Sequence, residues 1–151
     1  MRQETTMHPA LVRKITIPVG QDAAFRRFTE GLAAWWPMKT HSVGQEQTTD
    51  VTLEPRVGGR FYETQADGTT SDWGRLTVWD PPNRLAFTWH PGRDPEAAQN
   101  VEIAFRRVGD TTEIELTHRD WEVFGDEAGE MRDRYGSGWD GVLQRYSNVQ
   151  L

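Results

Sequence analysis

The stretch MRDRYGSGWDGVLQRY, Met131–Tyr146, decides the fold. Its large apolar residues, Met131, Tyr135, Trp139, Val142, Leu143 and Tyr146, fall at steps of three and four. That is the period of a helix with one apolar stripe. Upstream the period is two: Val51 and Leu53, Phe61 and Glu63, Leu85, Phe87 and Trp89, Val101, Ile103 and Phe105, then Ile114, Leu116 and His118. Gly58-Gly59, Asp67-Gly68, Asp80-Pro81-Pro82-Asn83 and Gly109-Asp110 separate several of these runs and read as tight turns. Short links between strands of period two imply an antiparallel sheet with one buried face. The single long amphipathic helix is the natural cover for that face.

Working outward, Leu11 to Ile17 reads as a first strand with Leu11, Ile15 and Ile17 on one face and Arg13 interrupting. Asp22 is the expected N-cap of a short helix carrying Ala24, Phe25 and Phe28, which Gly31 breaks. Leu32 to Trp36 reads as a further helical turn, closed ahead of Pro37 because a residue before proline avoids helical angles. The polar run His41 to Thr49 is expected to be a loop. Between Asp72 and Trp79, alternation places Gly74, Leu76 and Val78 on one face and Trp73, Arg75 and Trp79 on the other. Residues 1–9 read as a flexible leader and 10–151 as a single α+β domain.

The composition narrows the function. With 151 residues there is room for one sizeable core and little more. A net charge of −6 with no basic block carries no electrostatic footprint for nucleic acid. The absence of cysteine excludes disulfides, thiolate nucleophiles and cysteine-ligated metals. His8, His41, His90 and His118 show no metal-ligand spacing, so neither metal nor cofactor is expected. No run has the length of a membrane span and no secretory signal is visible, which makes cytoplasm the expected location. Seven tryptophans, against three tyrosines and six phenylalanines, need a core to fill or a ligand to face.

A set of local motifs, in this order, resembles the helix-grip fold of the Bet v 1/START (SRPBCC) superfamily, and more narrowly the family named for homology to the activator of the Hsp90 ATPase. The residues that carry it are Trp35-Trp36-Pro37, Glu54-Pro55-Arg56-Val57-Gly58-Gly59-Arg60-Phe61, Asp67-Gly68, Trp73-Gly74, Asp80-Pro81-Pro82, Arg84-Leu85-Ala86-Phe87-Thr88-Trp89, Thr117-His118 and Gly138-Trp139. The resemblance spans about Leu11 to Tyr146. It implies a curved antiparallel sheet wrapped around a long C-terminal helix, two short helices after the first strand, and a cavity between sheet and helix. It implies no activity, and Hsp90 activation is not carried over.

The candidate site follows from the inward phase. Trp35, Trp36, Phe61, Leu76, Phe87, Trp89, Phe105, Leu116, Tyr135, Trp139 and Val142 are the expected cavity lining. They serve either as an aromatic ligand pocket or as core packing beneath a curved sheet. Glu63 and His118 sit in phase with apolar neighbours, so each must find a partner or incur a penalty of roughly 1–3 kcal/mol. They are candidate ligand-binding residues that orient a polar group, the candidate catalytic acid and base, or else buried structural contacts. Gly136 and Gly138 interrupt the helix stripe, for close approach to the sheet, for ligand room, or at a kink. Three readings follow: a binding protein for a small apolar or aromatic molecule, an enzyme of the cyclase, hydratase or hydrolase kind using His118 and Glu63, and a co-chaperone-like interaction module. The expected partner is that small molecule, with a homodimer as an open alternative.

Overall fold

A computed structural model describes residues 8–148. Residues 1–7 of the expected leader and 149–151 of the expected domain lie outside the described residues. The elements run β1 (Leu11–Ile17), α1 (Gln21–Thr29), α2 (Leu32–Trp35), β2 (Thr48–Leu53), β3 (Arg60–Gln65), β4 (Thr70–Asp80), β5 (Arg84–Trp89), β6 (Gln99–Val108), β7 (Thr111–Arg119) and α3 (Ala128–Asn148). The seven strands form one sheet in the order β1-β7-β6-β5-β4-β3-β2, antiparallel at every junction. The sheet curls around α3, which is the helix-grip arrangement.

The first strand closes the sheet because its alternation matches that of the last, with Leu11 opposite His118 and Ile17 opposite Thr112. Arg13, out of place on an apolar face, is satisfied by Asp140 of α3 at 2.7 Å. Helix α1 starts two residues earlier than expected. Gly20, in extended conformation, is the cap, and Asp22 lies in the first turn, where its charge suits the helix dipole.

Three face assignments in β4 are corrected: Trp73 and Trp79 turn to the core, Trp79 against Phe25, and Val78 turns away from it. Trp73 is fully buried, on the same side as Leu76 rather than opposite it. The reason is a pair of bulges. Phe61 faces Gly74 while Tyr62 faces Asp72, so Trp73 is extra on one edge of β4. Leu76 faces Phe87 while Val78 faces Ala86, so Thr77 is extra on the other. Each bulge resets the alternation and sharpens the curl. Gly74 is required there, since a Cβ would lie 1.7 Å from the Thr88 carbonyl oxygen.

The core divides into two halves. Beneath α1, Phe25 meets Phe105 and Trp79 edge-on, and Phe28 packs on Trp35 and Tyr146. Its polar atoms knit the three helices: Trp35 Nε1 donates to the Arg27 carbonyl, an Arg27 guanidinium N–H to the Tyr146 carbonyl, and the Tyr146 hydroxyl to the Ala24 carbonyl at 2.7 Å. The other half is a chain of rings, Trp36, Trp73, Trp89 and Trp139, with centroids 5.1 to 6.3 Å apart along it. Beyond that second half the sheet and α3 part, and a cleft opens.

Candidate functional site

The segment after α2 forms one wall of the cleft, and a series of hydrogen bonds fixes its path. Trp36 turns extended before Pro37, and its indole N–H donates to the His41 carbonyl at 2.8 Å. The backbone N–H groups of Thr40 and His41 both donate to the Pro37 carbonyl. The Ser42 hydroxyl donates to the Met38 carbonyl and lies 2.8 Å from the Thr48 hydroxyl. The Val43 and Gly44 N–H groups then donate to the two carboxylate oxygens of Glu63, each at 2.7 Å.

Glu63 is therefore the anchor of this wall. Besides those two bonds it accepts from Thr48 Oγ1 at 3.0 Å, Gln65 Nε2 at 3.2 Å and Trp73 Nε1 at 2.7 Å. Burial alone would push its pKa up. The Val43 and Gly44 amides, then the Trp73 indole and the Thr48 hydroxyl, outweigh it and hold the carboxyl below its ordinary value. A carboxylate with five donors has no free lone pair for chemistry.

His118 sits at the other side of the sheet, on β7. It is completely buried, with its ring 4.3 Å from Trp121 and edge-on to Tyr135 at 5.0 Å. Trp139 Nε1 donates to His118 Nδ1 at 2.9 Å, so the imidazole proton belongs on Nε2, which has no partner among the described residues. Burial first, and the nearby Arg93 charge second, lower its pKa to about 3. The ring is neutral at pH 7.

The expected pairing of Glu63 with His118 is corrected. Both point inward, but β4, β5 and β6 separate their strands, about 19 Å along the sheet at about 4.8 Å per strand. The rings of Trp73, Trp89 and Trp139 run between them. Neither residue lines the cleft. They are two separate buried contacts.

The cleft has a volume of about 310 Å³. Of the expected lining, Trp36, Trp89, Tyr135, Trp139 and Val142 face it. Trp35, Phe61, Leu76, Phe87, Phe105 and Leu116 do not; they are buried in the packed core, because the curl of the sheet closes over the middle of the inner face. Residues missed from the sequence are Thr40, His41, Ser42 and Val43 after α2, and Pro91 and Gly92 after β5. They belong to loops without periodicity. The available signal was a polar run between two anchored elements, with one histidine in it. The two helix glycines separate in role. A Cβ at Gly136 would come 2.8 Å from the Arg13 guanidinium, so it permits close approach to β1. A Cβ at Gly138 would stand 3.8 Å from the His41 ring, so it leaves room in the cleft.

His41 is the histidine of the lining. Its Nδ1 lies 2.8 Å from the Thr40 hydroxyl, and its Nε2 edge is turned toward Gly138 of α3. Partial burial first, and the Arg145 charge second, lower its pKa below the ordinary histidine value. Among the described residues, no group of three His, Asp or Glu is placed to hold a metal, and no helix is long and apolar enough to cross a membrane.

Comparison with known proteins agrees with this architecture. An anthrahydroquino-gamma-pyrone synthase, Txn09, solved as a complex, is 32% identical, with a TM-score of 0.67 over 96% of this chain and 99% of that one. The Aha1 dimer of Colwellia psychrerythraea is 18% identical, with a TM-score of 0.69 over 93% of this chain and 95% of that one, and shows the shared fold. A mouse neuronal pentraxin receptor is 41% identical over 63 residues; these make up 40% of this chain but only 11% of the receptor, so nothing of the receptor's role transfers. The model of the activator of Hsp90 ATPase homolog 1-like proteins matches residues 20–146. With that match across most of its length, and with the curled seven-stranded sheet gripping α3, the chain belongs to the activator of Hsp90 ATPase homolog 1-like family.

Proposed function

We propose that this protein binds a small, planar aromatic molecule in the cleft between α3 and the segment following α2. The observation that carries the reading is the wall itself. Trp36, Trp89, Tyr135 and Trp139 present ring surface, and His41 supplies a polar group that can orient a ligand. Small-molecule sites are concave, mostly apolar and sparingly polar, with volumes of about 300–1,000 Å³. The cleft, at about 310 Å³, falls at the small end of that range. A flat ring system gains most from such walls, because stacked and edge-on ring contacts add to simple area burial.

A second reading, that the protein acts chemically on such a molecule, is favoured by the 32% identity with a synthase that makes an anthrahydroquino-gamma-pyrone. The pair Glu63 and His118 does not serve that reading, since neither reaches the cleft. The test of binding is native mass spectrometry of freshly purified protein, followed by thermal shift against flavonoids, fatty acids and aromatic polyketides. A ligand at a hundred times its Kd stabilises the folded state by about 2.7 kcal/mol. The expected outcome is a rise in Tm with the aromatic compounds and none with fatty acids. No shift with any aromatic compound near its solubility limit rejects the reading.

A further inference from the structure

We infer that the indole N–H of Trp89 donates a hydrogen bond to a ring carbonyl of the molecule that occupies the cleft. This rests on the reading that the cleft binds a small aromatic molecule. It narrows that molecule to planar aromatics with a carbonyl on the ring system, such as quinones and aromatic ketones.

Trp89 is the exception among the buried tryptophans, which are Trp35, Trp36, Trp73, Trp89, Trp121 and Trp139. The other five place the indole N–H on a protein acceptor. Trp35 donates to the Arg27 carbonyl, Trp36 to the His41 carbonyl, Trp73 to Glu63, Trp121 to the His118 carbonyl and Trp139 to His118 Nδ1, at 2.7 to 3.0 Å. Trp89 is only 4% exposed, and its Nε1 has no partner among the described residues. A buried donor without an acceptor weakens the fold, so a native structure keeps one where something else completes it. Trp89 is also a wall of the cleft. Trp36 and Trp139, the other two tryptophans there, offer ring surface alone, because their N–H groups are engaged.

The surroundings decide which acceptor fits. The rings of Trp36, Phe61, Trp73, Phe87 and Trp139 lie with centroids 5.4 to 6.3 Å from that of Trp89. Among the described residues, no lysine or arginine lines the cleft. A carboxylate against these rings would be desolvated with a single donor to hold its charge. Glu63 shows what a buried carboxylate takes in this fold, namely five donors. A neutral carbonyl is served by one. The indole donates only, which excludes a ligand group that has nothing but a proton to give. Because Nε1 is covered, the ring tilts toward the cleft to meet the carbonyl. That tilt breaks no hydrogen bond, whereas the same movement at Trp36 or Trp139 breaks one.

9-Fluorenone and fluorene test this, because they share one planar frame and differ by the carbonyl. The affinity of each for the full chain is measured by equilibrium dialysis, in wild type and in Trp89→Phe. The infrared carbonyl stretch of bound fluorenone is recorded in both proteins. The preference for fluorenone over fluorene is expected to fall about tenfold in Trp89→Phe, the size of one hydrogen bond. The carbonyl stretch is expected at lower wavenumber in wild type than in the variant. Trp89→Leu serves if the melting temperature shows that Trp89→Phe has lost its fold. An equal preference in the two proteins, or a carbonyl stretch at the same position in both, overturns the inference and leaves the binding reading standing. No binding of either compound by wild type overturns both.

Discussion

Two buried polar side chains on the inner face of the sheet end up in opposite circumstances. Glu63, on β3, collects five hydrogen-bond donors and pins the 43–44 backbone to the sheet. His118, on β7, receives one bond at Nδ1 and leaves Nε2 without a partner. The first is a charge made stable by surrounding it with donors. The second is kept neutral by surrounding it with rings. The cleft is lined by neither; its imidazole, His41, comes from the loop that Glu63 holds. Burial of an ionisable residue thus marks an important position without stating what the position does. The bond count around it does that.

The largest effect that would break the contrast is at Glu63. Glu63→Ala strands the amides of Val43 and Gly44 and the indole of Trp73, at about 1–3 kcal/mol for each donor left buried and unpaired. Because Val43 is exposed and its amide can turn to water, the lower end applies: a total loss of about 3 kcal/mol in urea unfolding is expected, together with loss of ligand binding as the wall loosens. A loss under about 1 kcal/mol would show that the carboxylate does not hold the loop. Next comes Trp139→Phe, which keeps the ring in the cleft but removes the donor to His118 Nδ1. The cost expected is about 1–3 kcal/mol, read in the same unfolding series.

The pH dependence sharpens the contrast further. His118 has its folded pKa lowered from 6.5 to about 3, so the unfolded chain binds the proton first as pH falls. Stability should therefore be constant above 6.5 and decline below it, by up to about 1.4 kcal/mol per pH unit, levelling off near 3. Glu63, with its pKa held below 4.5, adds its own loss only below that value. His41 acts in the same sense as His118, more weakly because it stands at the cleft surface. Between about pH 6.5 and 5, His118→Phe should remove most of the slope. An unchanged slope in that variant would place the titrating group elsewhere.

The smallest effects separate the two helix glycines. Gly138→Ala meets only the His41 ring, at ordinary contact distance, and removes a helix-weakening residue. A gain of about 0.5–1 kcal/mol is expected. Gly136→Ala gains less or nothing, since the Arg13 guanidinium at 2.8 Å must shift while bound to Asp140. Equal gains at the two positions would mean that α3 does not approach β1 as described.

The sequence was most readable where periodicity ruled. Met131, Tyr135, Trp139, Val142 and Tyr146 named the helix stripe, and paired turns named the antiparallel strands. It misled at Trp73, because a bulge changes which face a residue takes without changing any residue type. It marked Glu63 and His118 as inward, and both are, but a period of two says nothing about how far apart two strands lie in a curled sheet. The cleft was half visible. Its aromatic residues come from periodic elements, whereas His41, Val43, Pro91 and Gly92 come from loops, whose positions are decided by distant partners such as Glu63.

The claim at the centre is that an aromatic molecule sits against α3 at Gly138, among the tryptophans. The direct measurement is a titration of tryptophan fluorescence with a hydroxyanthraquinone, in wild type and in Gly138→Phe, with the melting temperature of each recorded. Wild type is predicted to show saturable one-to-one quenching, and Gly138→Phe to keep its fold but lose the quenching, since the added ring fills the cleft. Equal quenching in both proteins, or none in wild type, would contradict it.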